Sequence, residues 1–259
     1  MFFQIKSYLK FLWHSKNEHG VHSPFVYCLL TKCFYDKGQK PHYQVLSNYR
    51  NALLKNKSAI KVTDFGAGSR VFKSNNRPIY KIAQTAGISE KRAQLLYRIS
   101  NYFQPACILE IGTSLGLATS ALSLGNPKAK IITLEGCPET ARLAEVQLQK
   151  FNCKNVNLIV TQFNSFLEKK ITATERYSLI YFDGNHSKKA TLDYFELLLP
   201  TITNETVWIF DDIHWSAEME AAWEIIKNHP KVTVSIDTFQ WGLVSFRYEQ
   251  SKQHFIIRT

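Results

Sequence analysis

A chain of 259 residues with 45% apolar and 20% charged content is long enough to bury one substantial core, and one domain plus an N-terminal extension is the simplest count. Charge is uneven: residues 1–105 hold 17 Lys+Arg against 4 Asp+Glu, residues 106–259 hold 15 against 17, and the net is +11. The basic stretch fits an anionic substrate, a nucleic acid, an acidic membrane surface or a merely solvated face, and composition alone leaves these open.

The N-terminal segment Met1–Trp13 is apolar and aromatic, but Lys6 and Lys10 interrupt it and no small-residue cleavage site follows. Neither a signal peptide nor a transmembrane span is expected there; an amphipathic helix is. Its apolar face would dock on the protein's own core, a partner or, as peripheral contact through residues 1–13, a membrane surface. Residues 1–35 read as helical with a break at His19–Phe25, where Ser23 caps a helix begun by Pro24. His14, His19 and His22 lie close in sequence but match no compact zinc spacing. Five cysteines, Cys28, Cys33, Cys107, Cys137 and Cys153, form no C-x-x-C pair, so free thiols in a reducing, cytoplasmic setting are expected.

Residues 36–60 read as a connection and a short helix around Tyr49–Leu54. Val62-Thr63-Asp64-Phe65-Gly66-Ala67-Gly68 imitates a ligand-binding glycine turn, but Ser74-Asn75-Asn76-Arg77-Pro78 is turn chemistry where a helix should follow. Residues 62–78 are therefore expected as a loop near the site, with Arg70, Lys73 and Arg77 available to an anionic group. Ser89–Phe103 is an amphipathic helix stopped by Pro105.

The organising stretch comes next. Cys107–Ile111 is an apolar strand carrying Glu110, Gly112 and Gly116 make the turn, and Ala118, Thr119, Ala121 and Leu122 begin a helix. Glycine lets the backbone bend and lets a ligand approach it, while the helix start presents free N–H groups. A second strand, Ala129–Glu135, ends in an acid 25 residues after Glu110, where a doubly wound sheet places a carboxylate against ribose hydroxyls. The loop is not G-x-G-x-x-G, so a dinucleotide fingerprint is absent.

Strand–helix alternation continues through Pro138–Phe151, Val156–Val160, Tyr177–Asp183, Lys188–Leu199, Thr206–Asp212 and Ala217–Lys227, and Val232–Ile236 with Gly242–Phe246 read as an antiparallel pair. The predicted class is α/β: a Rossmann-like, doubly wound, mostly parallel seven-stranded sheet with an antiparallel last strand, plus an N-terminal helical extension. The expected division is 1–86 and 87–259. Glu110, Glu135, Asp183, Asp211 and Asp212 all fall at the C-terminal ends of strands, the edge where such sheets bind ligands.

Leu109-Glu110-Ile111-Gly112-x-x-x-Gly116 followed by Thr133-Leu134-Glu135 resembles the first two cofactor motifs of class I S-adenosylmethionine-dependent methyltransferases, and the spacing over residues 87–248 is most similar to the small-molecule O-methyltransferases of catechol, caffeoyl-CoA and macrocin type. The resemblance implies S-adenosylmethionine bound by Glu110, Gly112, Thr113, Ser114, Gly116, Glu135, Gly136, Phe163, Asn164 and Asp183. It also implies a divalent ion, Mg²⁺ or Mn²⁺, on Asp183, Asp211 and Asp212, lowering the pKa of an acceptor hydroxyl. Where catechol-type enzymes carry a base lysine this chain has His186, a credible general base, with Lys188 and His214 behind it, and Asn185 stands where macrocin-type enzymes have a second acid. Phe239–Leu243 is expected as one wall of the acceptor pocket. No glutamate there matches the one that catechol enzymes use on their substrate, which argues against a catechol; a small-molecule acceptor is expected, and the basic segment leaves an anionic one open. Two further readings are an RNA methyltransferase using the basic segment, which lacks an Asn-Pro-Pro-Tyr-like motif and an RNA-binding module, and a Rossmann-like protein that binds cofactor or partner without turnover.

Overall fold

A computed structural model describes residues 2–65, 72–170 and 176–259. The chain divides into two compact units, Lys32–Phe163 and the combination of Met1–Thr31 with Asn164–Thr259, so the basic N-terminal stretch is shared between them. The turn residues Gly66, Gly68 and Arg70 lie outside the described residues.

Helix α1 (Phe2–His14) leads through a 3-10 turn at Glu18–Gly20 to α2 (Pro24–Leu29). Pro24 sits at the helix start and the Ser23 hydroxyl accepts the Val26 N–H at 3.4 Å, the cap expected from the sequence. Next is α3 (Tyr43–Lys55), longer than the 49–54 core of the expectation because Tyr43 and Leu46 continue the buried stripe of Tyr49 and Leu53. Strands β1 (Ala59–Lys61) and β2 (Asn76–Pro78) pair antiparallel, flanking the expected loop with a short ribbon. Then come α4 (Ile79–Thr85) and α5 (Glu90–Phe103), the latter capped by Ser89 and ended by Gln104 in the left-handed region.

From here strands and helices alternate: β3 (Cys107–Ile111), α6 (Leu117–Gly125), β4 (Lys130–Glu135), α7 (Pro138–Lys150), β5 (Val156–Val160), α8 (Phe163–Lys170), β6 (Leu179–Phe182), α9 (Lys188–Leu198), β7 (Val207–Asp211) and α10 (Ala217–Asn228). The chain closes with β8 (Val234–Asp237), β9 (Trp241–Ser245) and β10 (Gln253–Ile256). The sheet order is β10-β8-β9-β7-β6-β3-β4-β5. β3, β4 and β5 run parallel to one another, as do β6 and β7, while β9 is antiparallel to both β7 and β8.

Among the described residues this sheet has eight strands rather than seven. The extra one, β10, pairs parallel with β8, and its mixed, half-exposed residues give neither the alternation nor the apolar run that marks a strand. Every residue of β6 and β7 is buried, the signature of a sheet covered on both faces. Between β7 and its helices lies an aromatic core in which Phe182 stacks on Phe210 at 4.2 Å and the Trp208 ring meets Phe195 edge-on at 5.4 Å. All five cysteines are free thiols. His14, His19 and His22 are exposed, and among the described residues no group of three or more His, Cys, Asp or Glu could hold a metal ion. No helix among the described residues is long and apolar enough to cross a membrane.

Candidate active site

In the unit Lys32–Phe163 the turn after β3 is built as its glycines require. Gly112 has φ 106° and Gly116 φ 76°, values that Cβ-bearing residues rarely adopt. The Gly112 and Thr113 N–H groups both donate to the Leu134 carbonyl at 3.0 Å, which ties the turn to β4. The Ser114 N–H donates to Glu135 Oε2 at 2.8 Å and the Cys137 N–H to Oε1 at 2.9 Å. Glu135 is thus fixed at the strand end while still half-exposed. Burial raises its carboxyl pKa, and the N–H groups of Cys137, Ser114 and Gly136 pull it back down.

Glu110 is fully buried beneath the same turn. Its Oε2 accepts the hydroxyls of Thr119 and Thr133, each at 2.5 Å, and Thr133 is in turn 2.6 Å from Thr113. Oε1 is buried and has no hydrogen-bond partner. Desolvation pushes the Glu110 pKa up to about 7, against the lowering effect of the two threonine hydroxyls.

Two contacts had no sequence signal. The Tyr49 hydroxyl donates to the Leu115 carbonyl at 2.8 Å, and a Cβ on Gly116 would stand 2.4 Å from that hydroxyl. The residue reaching the turn comes from α3, 66 positions earlier, a separation no local pattern reveals. The other is Phe65, whose ring lies where a Cβ on Gly136 would be, at 2.8 Å. With it, the Thr63 N–H points at Cys137 Sγ at 3.3 Å, so the segment after β1 packs on the end of β4, as expected of a loop near the site. Of its basic residues, Arg77 pairs with Asp64 at 3.1 Å and lies over the Phe72 ring, Lys73 is exposed, and Arg70 lies outside the described residues. Phe163 and Asn164 open α8, the first half-buried and the second exposed.

In the other unit, β6 ends at Phe182 and the chain turns through Asp183, Gly184 and Asn185, the last at φ 52°. Ser187 then caps α9 by accepting the Ala190 N–H, and Lys188 is the first helical residue. His186 Nε2 stands 3.7 Å from Asp183 Oδ1. A small cavity here is lined by Phe182, His186, Tyr194, Phe210, Asp211 and Met219, so the imidazole and the buried carboxylate that ends β7 face the same space.

Asp211 Oδ2 accepts the Tyr181 hydroxyl at 3.1 Å and Oδ1 accepts the Asp212 N–H at 2.8 Å. Asp212 itself is held at φ 54°. Asp183, Asp211 and Asp212 are therefore not brought together as a ready ligand group, and the residues as placed do not fit a three-carboxylate metal site.

His214 does something other than the back-up base role expected of it. Its Nε2 is 2.8 Å from Asp237 Oδ2 and its Nδ1 3.3 Å from Glu220 Oε2, and the ring stacks on Phe239 at 5.2 Å. Burial lowers its pKa, but the two carboxylates outweigh burial and the net shift is upward. An imidazole held between two carboxylates has both ring nitrogens engaged, and the pair favours its protonated form. Phe239, expected in the acceptor wall, is instead enclosed by His214 and by the α1 rings of Tyr8 and Phe11, at 4.8 and 5.5 Å. Asp237 was readable: it too is an acid ending a strand.

Asn185, Asp212 and Phe239, all with positive φ, each follow within three residues the C-terminal end of β6, β7 or β8. These strands point the same way, since β9 is antiparallel to both β7 and β8, so the strained residues share one sheet edge.

Residues 109–213 match a family described as a methyltransferase domain. No curated protein sequence matches the chain. Among solved structures, the SAH-bound methyltransferase PaMTH1 of Podospora anserina is similar at 14% identity and TM-score 0.62, over 88% of this chain and 97% of that one. The O-methyltransferase TomG of Streptomyces achromogenes, involved in tomaymycin synthesis and in complex with SAM, is similar at 17% identity and TM-score 0.57, over 86% and 95%. The O-methyltransferase of Bacillus cereus in complex with SAH aligns at 18% identity and TM-score 0.54, over 85% and 94%. At such identities the structures speak for the fold and the matched segment for the domain. Residues 109–213 are thus similar to a methyltransferase domain, and the chain has the fold of the S-adenosylmethionine- and SAH-bound methyltransferases it aligns with.

Proposed function

We propose that the protein is an S-adenosylmethionine-dependent O-methyltransferase acting on a hydroxyl of a small, anionic acceptor. The observation that carries this reading is His186 beside Asp183 at the wall of a cavity that also holds Asp211, in a chain similar to a methyltransferase domain over residues 109–213. When bound, S-adenosylmethionine supplies an electrophilic methyl group on a positively charged sulfur.

The turn after β3 fits that ligand on two counts. Glu135, fixed by Ser114 and Cys137 yet half-exposed, offers carboxylate lone pairs to ribose hydroxyls, and the unpartnered Oε1 of Glu110 offers a buried acceptor to a donor brought against the turn. Gly112, Thr113, Ser114, Gly116 and Gly136 supply backbone free of obstructing side chains, and Phe163 and Asn164 at the start of α8 are the assigned adenine contacts.

On the acceptor side, the Asp183 carboxylate 3.7 Å from the His186 ring would stabilise the imidazolium formed when the imidazole takes the acceptor's hydroxyl proton. Lys188 at the start of α9 stands by for the acceptor's negative charge, as does the basic excess of residues 1–86, assigned here as an extension of a catalytic domain spanning 87–259. Five free thiols support a reducing, cytoplasmic setting. A divalent ion on Asp183, Asp211 and Asp212 is the further element of the family resemblance; because these carboxylates do not gather as ligands here, no step is routed through one.

The test is transfer of labelled methyl from S-adenosylmethionine to a panel of hydroxylated aromatic acids, with Mg²⁺ and with a chelator. Label should appear on oxygen, and His186→Ala should lower the rate by about 10²-fold or more. Full activity in that variant would remove His186 as the base, and label on nitrogen or carbon alone would refute the O-methyltransferase reading.

A further inference from the structure

Helix α1 is amphipathic the wrong way round for a helix that merely caps its own unit. Ser7 and Phe11 point inward and are buried, with Ser7 donating to Glu220 and Phe11 against Phe239. At 100° per residue, the opposite face is Ile5, Leu9 and Trp13, spaced four apart. These are 53%, 61% and 87% exposed. A solvated face should be polar, and this one is not.

Its electrostatics select the partner. Lys6 and Lys10 edge the stripe, both exposed, and Lys16 and the exposed Arg258, which reaches the Leu12 carbonyl and the Ser15 hydroxyl, continue the positive charge past the helix end. Residues 2–17 contain no Asp or Glu. The acid that touches α1, Glu220, is on the inward side and is engaged by His214. The outward face is thus an apolar strip edged by Lys6 and Lys10, on a helix that carries no acid of its own.

We propose that α1 lies flat on an anionic membrane surface, with Ile5, Leu9 and Trp13 at the headgroup–acyl boundary and Lys6 and Lys10 reaching lipid phosphates. A lysine stem is long enough to keep its ammonium among headgroups while the neighbouring leucine enters the apolar layer, and an indole is suited to that boundary. Two copies of the chain pairing through this face would bring four lysines together with no acid to offset them, so self-association is disfavoured. The inward contact of α1 with Phe239 places the docking helix on the turn after β8, at the sheet edge that carries Asp211.

The experiment is sedimentation of the full chain with vesicles of phosphatidylcholine alone and of phosphatidylcholine with phosphatidylglycerol. Binding should be at least about tenfold tighter to the anionic vesicles and weaken in high salt. Leu9→Glu and, separately, Trp13→Glu should each abolish it, with unchanged thermal unfolding because both residues are exposed. Lys6→Glu with Lys10→Glu should remove the preference for anionic lipid. Equal binding to neutral vesicles, no binding to either, or a dimer in solution that Leu9→Glu dissociates would each overturn the proposal.

Discussion

Replacing Glu110 by Gln isolates the cost of one buried charge. The carboxyl of Glu110 is pushed up to about 7 in the folded chain from an ordinary 4.5, because it is fully buried and two threonine hydroxyls on Oε2 compensate only in part. Between those two values the folded chain holds a proton that the unfolded chain has released, so stability falls as pH rises from about 4.5 to about 7. Integrating from pH 5 to pH 8 gives a loss of about 2–3 kcal/mol from this group alone, at about 1.4 kcal/mol per pH decade. Gln cannot ionise, so Glu110→Gln should lack this component and keep the others, which include the raised Glu135 and His214. Urea unfolding of both proteins without ligand at pH 5, 6, 7 and 8 reads it as a difference of differences. The variant should gain about 2–3 kcal/mol relative to the native chain between pH 5 and 8. Parallel pH profiles would refute the argument that Glu110 carries a costly charge under the turn.

Other consequences concern the supports of the two sites. His214 is raised by Asp237 and Glu220, so its stabilisation is fully present below its ordinary pKa near 6.5 and is lost as pH rises through the folded value. His214→Gln should therefore cost about 3 kcal/mol at pH 6 and clearly less at pH 9, and an equal cost at both would show that no charge is held there. Gly116→Ala meets both a left-handed φ and the Tyr49 hydroxyl, whereas Tyr49→Phe alone removes one buried hydrogen bond, worth about 1 kcal/mol. In the Tyr49→Phe background, Gly116→Ala should cost less than in the native chain, because the overlapping oxygen is gone; strict additivity in urea unfolding would show that the overlap does not matter.

The turn after β3 was legible because it is local. Strand, glycine turn and helix follow one another within Cys107–Thr119, and both Glu110 and Glu135 end up where their strand positions put them. What was not legible is what comes from afar. Tyr49 reaches the turn from another helix, and Phe65 reaches Gly136 from a loop that imitates a glycine motif. His214 shows the same limit in chemistry: a histidine just past two aspartates reads as a base, and only the position of Asp237 and Glu220 in space engages both its ring nitrogens and raises its pKa. The metal expectation came from the family resemblance at Asp183, Asp211 and Asp212; among the described residues no group of three or more His, Cys, Asp or Glu is gathered to hold an ion, and Asp211 accepts from Tyr181 and the Asp212 N–H. β10 escaped notice because a half-exposed edge strand needs no apolar pattern.

The central claim is that the turn between β3 and α6, with Glu135, holds S-adenosylmethionine. Calorimetric titration of that compound into the full chain, beside Glu135→Ala, tests it most directly. The native chain should bind and the variant should lose binding at least about tenfold, with an unfolding midpoint close to native. No heat of binding in the native chain, or equal affinity in the variant, would contradict the assignment.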